Sequence, residues 1–229
     1  MVKGIEIYAD GASIKQMHDF VKDPRITGFT CNPTLMKQQG IMHYRSYAAW
    51  VVDVIGKKPV SFEVLADDLE TMEAQAREID KWGPNIYVKV PVCTSSGEGT
   101  GPVIRRLTSD GIRVNVTAVM TVLQLALVLP NLIEPDCIVS IFAGRIADTR
   151  VDPEPIVTAC ASLAHGKARV LWASAREVFN IVQAERAGAD IITLSPELIA
   201  KLDLRGKDLH AYSVETSKQF HADGLGIAF

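Results

Sequence analysis

Short apolar runs alternate with amphipathic stretches along the whole chain. Eight runs carry the β-branched and aromatic content of buried strands, at residues 5–9, 25–29, 60–64, 85–91, 113–117, 137–142, 168–173 and 190–194. Between them the spacing predicts helices over 35–39, 44–55, 68–82, 119–129 and 153–164, with others running through Arg106 and Arg186. Ser13 is placed to cap a first helix, Pro130 to stop the segment 119–129, and Pro196 to open a short helix. Thr121 and Gln124 read as interruptions of that segment, and residues 209–220 as a closing helix. Strands alternating with helices, short loops and no linker-like stretch predict one (β/α)8 TIM barrel over residues 1–229, with 207–229 a C-terminal helix and tail. A doubly wound open sheet is the rival that alternation alone does not exclude; strand count and length favour the barrel.

The fourth run, Asn85-Ile86-Tyr87-Val88-Lys89-Val90-Pro91, holds a lysine in its middle. An ammonium on a buried strand needs a counter-charge or is held near neutral, because desolvation disfavours its charged form. A neutral lysine is a nucleophile towards carbonyl carbon, the chemistry of a Schiff-base enzyme. The plainer reading is an edge-strand lysine or a core ion pair. The ends of the other runs shift the balance. Asp10, Thr30 and Asn32, Glu63, Asn115 and Thr117, Ser140 and Arg145, and Ser174 and Arg176 fall at or near carboxyl ends of the first seven strands, where barrel chemistry gathers. Polar groups on buried strands cost free energy unless paired, and a converging site supplies a reason for them.

Composition removes other classes. A formal net charge of −3 gives no electrostatic reason to expect nucleic acid or an anionic membrane as partner. The 4 cysteines lie far apart with no C-x-x-C pair, so neither a metal site nor a disulfide framework is expected. The first residues enter a strand-like pattern with no signal-peptide region, and 118–129 is too short to span a bilayer, which makes a cytoplasmic protein the expectation. The stretch Gly97-Glu98-Gly99-Thr100-Gly101 lacks the Walker lysine pattern and misplaces the third glycine of a dinucleotide fingerprint, so it reads as a flexible turn.

Six motifs occur in order: Asp10 after Ile-Tyr-Ala; Gly28-Phe29-Thr30-Cys31-Asn32-Pro33-Thr34; Val88-Lys89-Val90-Pro91; Asn115-Val116-Thr117; Phe142-Ala143-Gly144-Arg145 with Asp148; and Ala173-Ser174-Ala175-Arg176. Together they resemble the transaldolase family in its small form, which includes the fructose-6-phosphate aldolases. The resemblance implies a class I aldolase barrel without cofactor or metal, acting on small sugar phosphates. It implies Lys89 as the Schiff-base residue and Asp10 as the general acid/base, supported by Thr30. Glu63 would act through a water held by Thr117. Asn32, Asn115 and Ser140 would bind the dihydroxyacetone part, and Arg145, Arg176 and Ser174 the phosphate. The aldolase branch typically carries glutamine at Glu63 and tyrosine at Phe142, so both residues favour transfer over release of free dihydroxyacetone. The family pattern is not kept throughout: Cys31 stands where threonine is usual, and Thr34 where serine is.

The expected function is thus transaldolase, in the non-oxidative pentose phosphate pathway. The alternatives are an aldolase releasing free dihydroxyacetone and a non-catalytic sugar-phosphate-binding barrel. Small members of the family form rings and decamers through the C-terminal helix, which implies a homo-oligomer here, in particular a decamer. Plainer assignments stay open from sequence alone. Asp10 also reads as a helix N-cap, Glu63 as an ion-pair partner of Lys89, Asn115 and Thr117 as stitches between barrel layers, and the two arginines as surface salt bridges.

Overall fold

The computed structural model describes residues 4–11, 13–133 and 136–227. The strand-like residues 1–3 and the last two residues of the tail lie outside this set. The chain divides into two compact units, 1–199 and 200–229.

The first unit is a closed parallel barrel of eight strands in sequence order. They are β1 Glu6–Asp10, β2 Ile26–Thr30, β3 Val60–Glu63, β4 Ile86–Pro91, β5 Val114–Val119, β6 Ile138–Ile141, β7 Arg169–Trp172 and β8 Ile191–Leu194. The seam closes by pairing β1 with β8, Tyr8 opposite Thr193. Strands covered by helices on one side and by the barrel interior on the other are buried on both faces, which is why they read as continuous apolar runs. Tyr8, Tyr87, Ile138, Leu171 and Ile191 pack together in the core. A Cβ on Gly28 would lie 2.6 Å from the Tyr8 ring, so glycine lets β2 pass this aromatic.

Helices Tyr44–Ile55 and Pro153–Ala164 match the expected bounds. Ser13 caps Ile14–Lys22 in a capping box with Gln16. Residues 119–129 depart from expectation. Val119 completes β5, and the helix is only Val122–Val128, followed by a 3-10 turn Leu129–Asn131 that contains Pro130. The two apparent interruptions are its start signal: Thr121 and Gln124 form a capping box. A further short helix, Ala143–Asp148, begins directly after Phe142.

In the second unit, helix Leu209–Gly224 starts at an Asp208 cap and runs beyond the expected 209–220. None of its residues is buried, and Leu209 and Phe220 are largely exposed. No described helix is long and apolar enough to cross a membrane.

Candidate active site

Parallel pairing sets Glu63 opposite Lys89 and Lys89 opposite Asn115, so three neighbouring strands present polar side chains at one level. Lys89 is 5% exposed. Its Nζ lies 3.1 Å from Glu63 Oε2 and donates to the Cys31 carbonyl oxygen at 3.2 Å. The counter-charge required of a buried ammonium is therefore in place, as is an acceptor for a second proton. Burial pushes the Cys31 thiol up to about 12, so it stays protonated.

Asp10 ends β1 and faces the same level. Ser13 caps the following helix, which frees Asp10 from that task. Its Oδ1 accepts from Thr30 Oγ1 at 2.8 Å. Burial raises the Asp10 carboxyl above the usual range, the Lys89 charge and the Thr30 bond pull it back, and the Glu63 charge adds to the rise.

Asn115 is fully buried and does not line the cavity described below. Its Nδ2 donates to Ser61 Oγ at 3.0 Å, and its Oδ1 accepts from Ser140 Oγ at 2.7 Å. It stitches three strands and fixes Ser140, which does face the cavity. Thr117, 1% exposed, lines the cavity with a hydroxyl that has no partner among the described residues. Asn32 caps helix Pro33–Gln38, its Oδ1 accepting from Leu35 N at 3.0 Å, and its amide nitrogen remains for the cavity.

The cationic end depends on one close approach. A Cβ on Gly144 would fall 1.6 Å from the Ser174 carbonyl oxygen, so only glycine lets the start of helix Ala143–Asp148 lie against the loop after β7. Ser174 itself has φ +65°, an unusual left-handed conformation for a residue with a side chain. This contact sets Arg145 and Arg176 at one rim. Arg176 forms a bidentate pair with Asp148, at 3.2 and 2.5 Å. The guanidinium holds the Asp148 carboxyl below its usual range. Arg145 lies over the Phe142 ring, 5.3 Å from its centre.

Asp10, Thr30, Asn32, Glu63, Lys89, Thr117, Ser140, Phe142, Arg145, Ser174 and Arg176 line one cavity of about 520 Å³ at the carboxyl ends of the strands. The cavity also has walls that sequence reasoning did not single out. Leu35, Ala118 and Leu171 are apolar; Thr193 and Ser195 are polar. Thr193 carried the same signal as the others, a polar side chain on a buried strand, on the eighth strand rather than the first seven. Asn180 is another addition: its Oδ1 accepts from the backbone N–H groups of Arg176 and Glu177 and so shapes the arginine loop.

The glycine-rich turn stands apart. It closes on itself through a bridge between Cys93 and Gly99 and through Thr94, and it borders a separate hollow with Gln124 and Leu127. Among the described residues, no group of three or more His, Cys, Asp or Glu is placed to hold a metal ion.

Residues 7–225 match the family model described as transaldolase/fructose-6-phosphate aldolase. A probable transaldolase of Dehalococcoides mccartyi is 31% identical over 201 residues, covering 86% of this chain and 90% of its own. One from Carboxydothermus hydrogenoformans is 29% identical over 224 residues, covering 96% and 97%. A solved structure described as native KDPGal superposes with a TM-score of 0.57 at 14% identity, covering 85% of this chain and 83% of that one, a likeness of fold alone.

Proposed function

Because the chain belongs to the transaldolase/fructose-6-phosphate aldolase family, we propose that it is a transaldolase using a Schiff base on Lys89 to move a dihydroxyacetone unit from a ketose phosphate to an aldose phosphate. The observation that carries this reading is the pair of buried Lys89 and half-buried Glu63, 3.1 Å apart, in one cavity with Asp10. A binding protein needs a counter-charge for a lysine but has no use for a second, separately held carboxylate.

The chemistry follows from the positions. The Lys89 amine, its proton passed to Glu63 or water, attacks the ketose C2 and forms a carbinolamine. Glu63 then protonates the departing hydroxyl, through a water on the free Thr117 hydroxyl, and the imine forms. Asp10 takes the C4 hydroxyl proton as the C3–C4 bond breaks. The electron pair moves into the imine, which becomes an enamine, and the first aldehyde leaves. Ser140, fixed by Asn115, and the Asn32 amide bond the dihydroxyacetone oxygens. Arg145 and Arg176 hold the phosphate through their guanidinium forks, with Ser174 beside them. Phe142 lines the cavity without an acidic proton, so the enamine waits for an acceptor aldehyde.

We place this activity in the cytoplasm, in the non-oxidative pentose phosphate pathway. We further propose a homo-oligomer, in particular a decamer, in which the exposed apolar residues of helix Leu209–Gly224 are covered. The test of function is a coupled assay with fructose 6-phosphate, with and without erythrose 4-phosphate. Product that requires the acceptor and is lost in Lys89→Met is expected. Free dihydroxyacetone formed without acceptor would make it an aldolase. No turnover and no trapped adduct across a panel of ketose phosphates would overturn the reading.

A further inference from the structure

Thr193 is a polar side chain in the barrel interior that the transfer chemistry leaves without a task. It is 5% exposed on β8, opposite Tyr8 across the seam, and its hydroxyl oxygen lies 2.7 Å from that of Thr30. Thr30, 3% exposed, donates in turn to Asp10 Oδ1 at 2.8 Å. Three consecutive strands around the barrel, β8, β1 and β2, thus supply one chain of hydroxyls that ends on the carboxylate.

The direction of this chain follows from counting protons. A hydroxyl has one proton to give, and an ionised carboxylate can only accept. With Asp10 ionised, the Thr30 proton points to Asp10, so the bond between the two threonines must be donated by Thr193. The other acceptor within reach of Thr193, the Tyr8 carbonyl oxygen, lies at 3.5 Å and competes poorly with a 2.7 Å contact. We propose that Thr193 is a positioning residue for the base: by donating to Thr30 it commits the Thr30 proton to Asp10 and keeps that carboxylate ionised and oriented.

The same chain responds once Asp10 has taken a proton from substrate. A proton on Oδ1 reverses the line, with Asp10 donating to Thr30, Thr30 to Thr193, and Thr193 to the distant Tyr8 carbonyl. No proton leaves the chain; each hydroxyl only rotates. The reversed line ends in its longest bond, so the protonated state is the less well terminated one, and Asp10 readily returns its proton to the second aldehyde. Polarisation along the line makes the Thr30–Asp10 bond depend on the Thr193 donor.

Other groups act on Asp10 and remain constant in the test. Lys89 on β4 and Glu63 on β3 carry charge beside it, the Cys31 thiol and Tyr47 phenol lie near, and Arg145 and Arg176 line the same cavity.

This inference rests on the role of Asp10 given above, and two readouts separate their failures. Borohydride trapping at Lys89 decides the Schiff-base reading. The ionisation of Asp10 decides the present one. It is read from the carboxylate infrared band by subtracting Asp10→Asn, and from the acid limb of kcat/KM. Thr193→Val keeps the shape and removes the hydroxyl, and it is expected to move both readouts up by about half a pH unit or more. Thr193→Ser keeps the hydroxyl and is expected to match the wild type. Thr193→Ala serves if the valine variant misfolds. Titration unchanged in the valine or alanine variant overturns the proposal, and so does an equal shift in the serine variant, which would assign the effect to the lost methyl group.

Discussion

Glu63 and Lys89 occupy one register position on adjacent parallel strands, and their charged ends meet at 3.1 Å inside the barrel. Each needs the other to be buried, yet neither is locked, because both also face the cavity. Lys89→Met is therefore expected to abolish borohydride-trapped adduct altogether. Glu63→Gln should still form the adduct, with kcat lower by about 10²–10⁴-fold, since only the proton transfers suffer. Mass spectrometry of the intact chain reads the first and steady-state kinetics the second.

Asp10 gives a pH-dependent stability prediction. Burial raises its carboxyl in the fold, so the folded state holds that proton to higher pH than the unfolded chain does. The favourable contribution is complete below the unfolded value of about 3.9 and is lost as pH rises through the raised folded value. Asp10→Asn is expected to be more stable than wild type at pH 7, by about 0.5–2 kcal/mol, with the difference vanishing below that unfolded value. Urea titrations at the two pH values measure this, and the variant should show no transfer activity.

How much of this arrangement could be read in the residues follows from what each signal depends on. The barrel was legible because doubly buried strands are continuous apolar runs, and because their polar ends stand out against that background. The segment 119–129 was not, since Thr121 and Gln124 look like flaws in an apolar helix until their side chains are seen bonding backbone N–H groups. The motifs put Asn115 among the groups for the dihydroxyacetone part, with a stitch between barrel layers as the plainer assignment. That it holds Ser140 rather than facing the cavity depends on register between strands, which is a tertiary property. The motifs include Asp148 beside Arg145, but its pairing with Arg176 of the next motif is set by how the two loops meet and is not readable in sequence.

Gly144 carries the arginine rim. Gly144→Ala puts a methyl group 1.6 Å from the Ser174 carbonyl oxygen, a backbone atom that cannot turn aside. A loss of about 1–3 kcal/mol by thermal or urea unfolding is expected. Displacing the loop after β7 should also raise KM for phosphorylated substrates more than it lowers kcat.

A second stability site lies at the far end of the first helix. Lys58 Nζ donates to the carbonyl oxygens of Ile26 and Val21 at 2.6 and 2.8 Å, with those of Asp23 and Phe20 at 3.4 and 3.5 Å. One ammonium thus satisfies backbone acceptors where helix Ile14–Lys22 hands over to β2. Lys58→Met should cost about 1–3 kcal/mol in urea unfolding while leaving adduct formation at Lys89 intact.

The exposed helix Leu209–Gly224 predicts a mass well above 25.0 kDa by light scattering. Arg or Glu in place of Leu209 and Phe220 should reduce that mass, and an unchanged monomer in the wild type would remove the proposed oligomer.

The pairing of β1 with β8 has a consequence for synthesis. Asp10 and Thr30 leave the ribosome early, and Thr193 comes near the end of the barrel. A nascent chain stalled before Ile191 carries Lys89, Asp10 and Glu63, but it has no seam to orient the proposed base. On the proposed reading, turnover then becomes a report of topological completion, and an unfinished chain is kept from the proposed chemistry on sugars.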